Sequence, residues 1–204
     1  MTSSFQRFAG ICAIATGVGG FAYSIAFVVL SRANADLGLA LSWLILLVGS
    51  LLAMPVVLAL YESTTDVEPP TALVAVVFAA SGFLGAIMHA GYEMANIIHL
   101  GKSPAGEAAS QVDPRGLLTF GLTGLGLLIF GWLMRRSNRF TSGLASLGML
   151  AGALMIVVYL ARLTIYSATN PLVLAGAGLT GFIVSPAFFI WLGRELLVRV
   201  FRST

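Results

Sequence analysis

Positions 89 to 99 read HAGYEMANIIH and bring His89, Tyr92, Glu93, Asn96 and His99 within eleven residues. Imidazole, phenol, carboxylate and carboxamide are groups that relay protons, hold a cation or seat a polar ligand. On a helical wheel of about 100° per residue with His89 at zero, Asn96 falls near −20°, Glu93 near +40°, Tyr92 near −60° and His99 near −80°, one arc of about 120°. Gly82 and Gly85 lie on the same arc, and Met88, Ala90, Gly91, Met94, Ala95, Ile97 and Ile98 fill the remainder. Such a stripe faces protein or water and leaves its apolar remainder to lipid or other helices.

His89 and Glu93 stand at i and i+4, the spacing at which two metal ligands share a helical face. The HExxH signature is missing and the other histidine lies ten residues from the first, so no metal site is assigned. Haem or a metal on His89 is the one cofactor chemistry the stripe offers, and no cofactor is expected. No Ser/His/Asp set or phosphate loop has supporting context, so no catalytic residue is assigned. Gly176-Ala-Gly178-Leu-Thr-Gly181 spells GxGxxG, but a dinucleotide fingerprint needs a preceding strand and this copy lies in an apolar run. Three readings of the stripe stay open: a helix end satisfied by headgroups and water, a binding or transport site, and catalysis or metal binding.

The elements that position the stripe follow from composition. Of 204 residues 58% are hydrophobic and only 9% charged, with a mean hydropathy of +0.97, which excludes an ordinary soluble domain. A membrane-crossing helix needs about 20 apolar residues, and six stretches qualify: 8–31, 37–61, 71–92 extending to 99, 116–134, 140–162 and 171–193. The expected fold is therefore all-α, one integral membrane domain over residues 1–204 built as a bundle of six transmembrane helices. Ala33-Asn34-Ala35 looks like a signal-peptide cleavage site. The apolar run before it exceeds the roughly 7 to 15 residues of a signal core, so the first span reads as a retained helix.

Lysine and arginine counts set the orientation. With six spans, Arg7, Arg135, Arg136, Arg139, Arg194, Arg199 and Arg202 share one side, against Arg32, Lys102, Arg115 and Arg162 on the other. Both termini are thus expected in the cytoplasm, with Trp132 and Trp191 near the cytoplasmic interface and Trp43 near the outer one. Asp113-Pro114 and Asn170-Pro171 each place a capping side chain before a first-turn proline. Pro55 and Pro186 fall inside spans two and six, where proline removes a backbone bond and is expected to kink the helix. The motif GLTG occurs at 121–124 and 178–181, and WLMR (132–135) is echoed by WLGR (191–194), a weak sign of a duplicated hairpin. Cys12 is the only cysteine, so no intrachain disulfide forms. Basic residues cluster at helix ends without aromatic interleaving, which argues against nucleic acid.

Depth turns the stripe into a structural hypothesis. Thr71 to Glu93 is 22 steps of about 1.5 Å, roughly 33 Å, which sets Glu93 at the outer hydrocarbon boundary. Phe140 to Arg162 is again 22 steps in the same direction. Arg162 shares its helical face with Tyr159, Tyr166, Met155, Gly152 and Gly148, and the last two form a GxxxG, which permits close helix approach. An unpaired charge at this depth is costly, so a Glu93 to Arg162 ion pair between spans three and five is expected.

The stretches RFAGICAIATGVGG, GLLIFGWLMRRSNRFTSGLASLGMLAGALMIVVYLAR and PAFFIWLGREL resemble uncharacterised bacterial multi-pass membrane proteins grouped as the DUF4386-like family. The likeness covers most of the chain and implies a compact bacterial membrane bundle; it carries no catalytic residues to transfer. The functional expectation is a non-enzymatic accessory or binding subunit in the plasma membrane, with the bilayer and a membrane-protein partner or second copy as its contacts. A small solute or proton-coupled carrier, and an enzyme or cofactor protein acting on a lipid or quinone, are the alternatives.

Overall fold

A computed structural model of the chain describes residues 3–100, 112–165 and 170–203, with side chains described except at 100 and 199–203. Among the described residues every regular element is helical. Six helices are long and apolar enough to cross a membrane: α1 (Ser3–Ala33), α2 (Ala35–Thr64), α3 (Pro69–His99), α4 (Leu117–Arg136), α5 (Ser142–Thr164) and α6 (Pro171–Val198). They match the six expected spans; the largest shifts are a start at Ser3 in place of Phe8 and an end at Val198 in place of Gly193.

Capping side chains account for several boundaries. Asn34 Oδ1 accepts the Leu37 N–H at 3.1 Å, Thr141 Oγ1 that of Leu144 at 3.4 Å, and Asn170 Oδ1 that of Leu172 at 3.0 Å, the last just before Pro171. Asp113 caps too, but across a turn: Gly116 adopts a left-handed φ of 76° and α4 begins only at Leu117. Pro55 lies within continuous α-helix. Pro186 follows a π-helical segment, Leu179–Val184. Its ring has no N–H to give and would crowd the carbonyl four residues earlier, and the wider π turn accommodates both. Further π segments occur at Ile25–Leu30 in α1 and Leu117–Leu122 in α4.

Each helix packs on its neighbours in sequence and α6 closes against α1, so the six form a ring. Close approach depends on small residues. A Cβ on Gly193 would stand 2.5 Å from Gly10 O, joining α6 to α1; one on Gly126 would stand 2.6 Å from Ala79 N, joining α4 to α3. The Gly148/Gly152 motif does not seat α5 on α3 as expected. A Cβ on Gly152 would meet Leu128 N at 2.5 Å and Gly124 O at 2.6 Å on α4, and Gly148 faces the Phe188 ring of α6. Helix α4 stands between α3 and α5, with Gly82 and Gly85 pressed on its Thr123 and Leu118.

The two ends of the ring differ. At the basal end, where α1 begins and α6 ends, lies the contiguous apolar core, including Leu60, Phe130, Leu133, Met134, Leu144, Phe188 and Leu192. Its loops are tied by Arg136 to Glu68 and Arg139 to Asp66, both at 2.8 Å. Gln6 Nε2 donates to Leu196 O at 3.0 Å, and the Arg136 guanidinium sits 4.5 Å above the Trp132 ring. All three π segments belong to the distal half, which contributes none of the core cluster.

The packing is testable at one atom. Gly152→Ala is expected to destabilise the bundle by about 1–3 kcal/mol through overpacking against α4, while Gly49→Ala, whose Cβ meets nothing within 4 Å, leaves stability unchanged or higher. Unfolding in mixed detergent micelles measures both; equal effects would count against the close α4–α5 contact.

Candidate functional site

The distal end gathers polar groups from α2, α3 and the start of α4. On α3, Glu93 is buried at 8% exposure, and His89, Tyr92 and Asn96 are half-buried. The apolar remainder of the helix is mixed: Met88 is 64% exposed and Ile98 70%, while Ala90 is fully buried and Met94 and Ile97 are half-buried. His99 is exposed at the helix end, and Tyr166 lies outside the described residues.

Trp43 of α2 is the nearest aromatic neighbour. Its ring meets His89 edge to face with centroids 4.9 Å apart at 87°. Phe27 in the α1 π segment packs on Trp43 at 6.0 Å and on Tyr23 at 5.7 Å. Offset and edge-on aromatic pairs of this kind each contribute about 0.5–1.5 kcal/mol beyond area burial. They hold the His89 ring against α2.

Asp113 completes the cluster. It lies just ahead of the α4 start, whose Leu118 presses on Gly85 of α3. It is buried at 7% exposure and accepts three bonds, from Leu118 N at 3.3 Å, Thr119 N at 2.9 Å and Thr119 Oγ1 at 2.7 Å. Those N–H groups are the unpaired donors that any helix start presents, and the carboxylate also complements the positive end of the helix dipole. Next to it, Arg115 Nη1 donates to Arg162 O at 3.2 Å, tying the start of α4 to the end of α5.

Among the described residues three buried side-chain polar atoms lack a hydrogen-bond partner, one of them Ser185 Oγ on α6 and two in this cluster. The indole Nε1 of Trp43 and the amide Nδ2 of Asn96 are buried donors without a hydrogen-bond partner. Glu93 forms no hydrogen bond or ion pair among the described residues. Leaving a buried polar group unmatched costs about 1–3 kcal/mol, more for a charge, so native structures keep few of them. Here one carboxylate and two donors stand at the same end of a single helix pair. Such an arrangement can receive a molecule that offers a donor to the carboxylate and an acceptor to the N–H groups.

The expected Glu93 to Arg162 ion pair is absent, because α4 intervenes between the helices that carry them. Tyr159 is likewise outside the cluster, its ring 3.1 Å from where a Cβ on Gly121 would stand. Among the described residues no three His, Cys, Asp or Glu side chains are grouped so as to hold a metal ion. Sequence reasoning took Trp43 for an interfacial anchor and Asp113 for a cap only. Depth was the usable signal for Trp43: it lies eight residues into α2 and His89 ten before the end of α3, so two antiparallel helices bring them level at about 1.5 Å per residue.

Fold and site together define a ring of six membrane-length helices with a packed basal core and a polar distal cluster. No protein-family model, curated protein or solved structure matches the chain. The resemblance to the DUF4386-like family therefore rests on the quoted motifs alone.

Because the two charges do not meet, exchanging them brings no rescue. The double variant Glu93→Arg/Arg162→Glu is expected to be as destabilised as the sum of the single variants, within about 0.3–0.5 kcal/mol. Unfolding midpoints of the four proteins measure the coupling, and recovery of stability in the exchange would restore the direct pair.

Proposed function

We propose that the chain is a multi-pass plasma-membrane protein of bacterial type with both ends in the cytoplasm, acting without catalysis as a binding or accessory subunit of a membrane complex. Six apolar helices support insertion, and the arginine-rich basal loops support the orientation under the positive-inside rule. The bound species is a small polar molecule or partner segment seated at the distal cluster, presenting an ammonium or amide donor beside a carbonyl or hydroxyl acceptor. One observation carries this reading: Trp43 and Asn96 hold two buried donors without partners, beside Glu93, which is buried at 8% exposure and forms no hydrogen bond or ion pair among the described residues. Water satisfies such groups at modest cost, and a ligand displaces it with profit only by reproducing its bonds.

A carrier is the second reading. The π segments of α1 and α4 adjoin the cluster, and irregular helix turns are where transporters expose backbone to solutes. The cluster's place near a helix end favours binding over transport, since carriers seat substrates near the bilayer midplane.

Glu93→Gln separates a ligand site from a structural residue. Removing a buried charge that has no partner is expected to raise the unliganded protein's stability by about 1 kcal/mol or more while abolishing thermal stabilisation by amine-bearing solutes in detergent. A lower melting temperature would mark Glu93 as structural. Flux into proteoliposomes that depends on Glu93 would replace the binding reading with the carrier.

Orientation is checked with single cysteines in a Cys12→Ser background. Ala33→Cys is expected to react with a membrane-impermeant maleimide in intact cells, and Asn138→Cys only after permeabilisation. The reverse pattern would invert the topology.

A further inference from the structure

An open groove of about 750 Å³ runs between the first turn of α5 and the basal half of α6. Its α6 wall is one helical face, with Ala187, Ile190, Trp191, Arg194 and Val198 at successive helical spacings. The Trp191 ring lies against the α5 start, where a Cβ on Gly143 would come 3.0 Å from Cη2. Across the groove stands Thr141, which caps α5 and donates its hydroxyl to Glu195 Oε1 at 2.6 Å.

Charge in the groove is unevenly committed. Arg139 is engaged with Asp66 at 2.8 Å, and one Glu195 oxygen is taken up by Thr141. Arg194 is exposed and has no ion pair among the described residues. The first N–H groups of α5 add the positive end of a 23-residue helix. The mouth of the groove therefore presents the exposed guanidinium of Arg194, and its inner wall, Ala187 and Ile190, is apolar.

Resting on the membrane reading above, we propose that this groove binds an anionic phospholipid of the basal leaflet, its phosphate at Arg194 and an acyl chain along Ala187 and Ile190. Charge complementarity selects this occupant: an acidic headgroup brings its phosphate to Arg194 with no cation of its own, a choline headgroup brings a cation that competes with Arg194, and a soluble anion makes no use of the apolar wall. The position agrees, because the groove opens at a helix end beside Trp191, where amphipathic indoles sit at headgroup level. Basic pockets between helices on the cytoplasmic side are known receptors for acidic headgroups.

Trp191 supplies the probe. The protein is reconstituted with Trp43→Phe and Trp132→Phe, leaving Trp191 as the only indole, into vesicles containing brominated phosphatidylglycerol or brominated phosphatidylcholine. Quenching is expected at an about fivefold lower fraction of the acidic lipid, the effect of one basic residue near the surface. Arg194→Gln should erase that preference and Arg194→Lys should keep it, with melting temperatures unchanged. Equal quenching by both lipids, or a preference that survives Arg194→Gln, would overturn the proposal. So would displacement by inorganic phosphate, which indicates a soluble anion, or loss of all Trp191 quenching together with crosslinked dimers, which indicates a second copy. A companion protein retaining only Trp132 reports insertion itself: if no brominated lipid quenches it, the membrane reading fails, and if it is quenched normally, a negative result at Trp191 concerns the groove alone.

Discussion

The close approach of helix backbones at glycine is the contact on which the rest of this structure depends. In lipid the hydrophobic effect does not distinguish a helix from the surrounding acyl chains, so association rests on van der Waals packing and on how near two backbones can come. Gly10 with Gly193, Gly126 with Ala79 and Gly152 with Gly124 supply that contact at three of the ring's interfaces. The ring closes because α1 and α6 each carry a glycine at the crossing. A side chain at any of these points would push two helices apart and open the bundle along its length.

This constraint decides what the polar residues meet. With α4 wedged between α3 and α5 by glycine contacts on both sides, the charges on α3 and α5 are kept apart, and the stripe on α3 turns toward α2 and the start of α4. Trp43 becomes a neighbour of its His89 for that reason. Packing thus selects the electrostatic partners, and no attraction between Glu93 and Arg162 is needed to order the helices.

The basal and distal halves divide the packed core from the polar cluster. The apolar core and the two loop ion pairs lie at the basal end, although exposed pairs of this kind each contribute about 1 kcal/mol or less. The distal half holds the π segments, the unmatched donors on Trp43 and Asn96, and the buried Glu93. Widened helix turns recur at functional sites, and stability forgone there is tolerable when the opposite half is well packed. The basal groove by Arg194 is a surface feature of the same packed half, where a headgroup can be held without disturbing the core.

Six helices and their approximate bounds were legible in the chain, because about 20 apolar residues between polar ends is a one-dimensional signal. The same holds for the Asn170-Pro171 cap and for the polar arc on α3, which depend on spacing within one helix. The pairing of α3 with α5 was misjudged from matching depth and a GxxxG, since both features state that a helix can approach a neighbour and neither states which one. The break in the backbone ladder expected at Pro186 falls beside a π segment, Leu179–Val184, a local widening that spacing along the chain does not announce. The sequence by itself determined the helices, the face of each that is polar, and the end at which arginine accumulates, all of them properties of local order. Only the tertiary structure decided that α4 separates Glu93 from Arg162, that Trp43 packs on His89, and that the donors of Trp43 and Asn96 lack partners, because neighbours across a ring are chosen by the fit of whole helix surfaces in three dimensions.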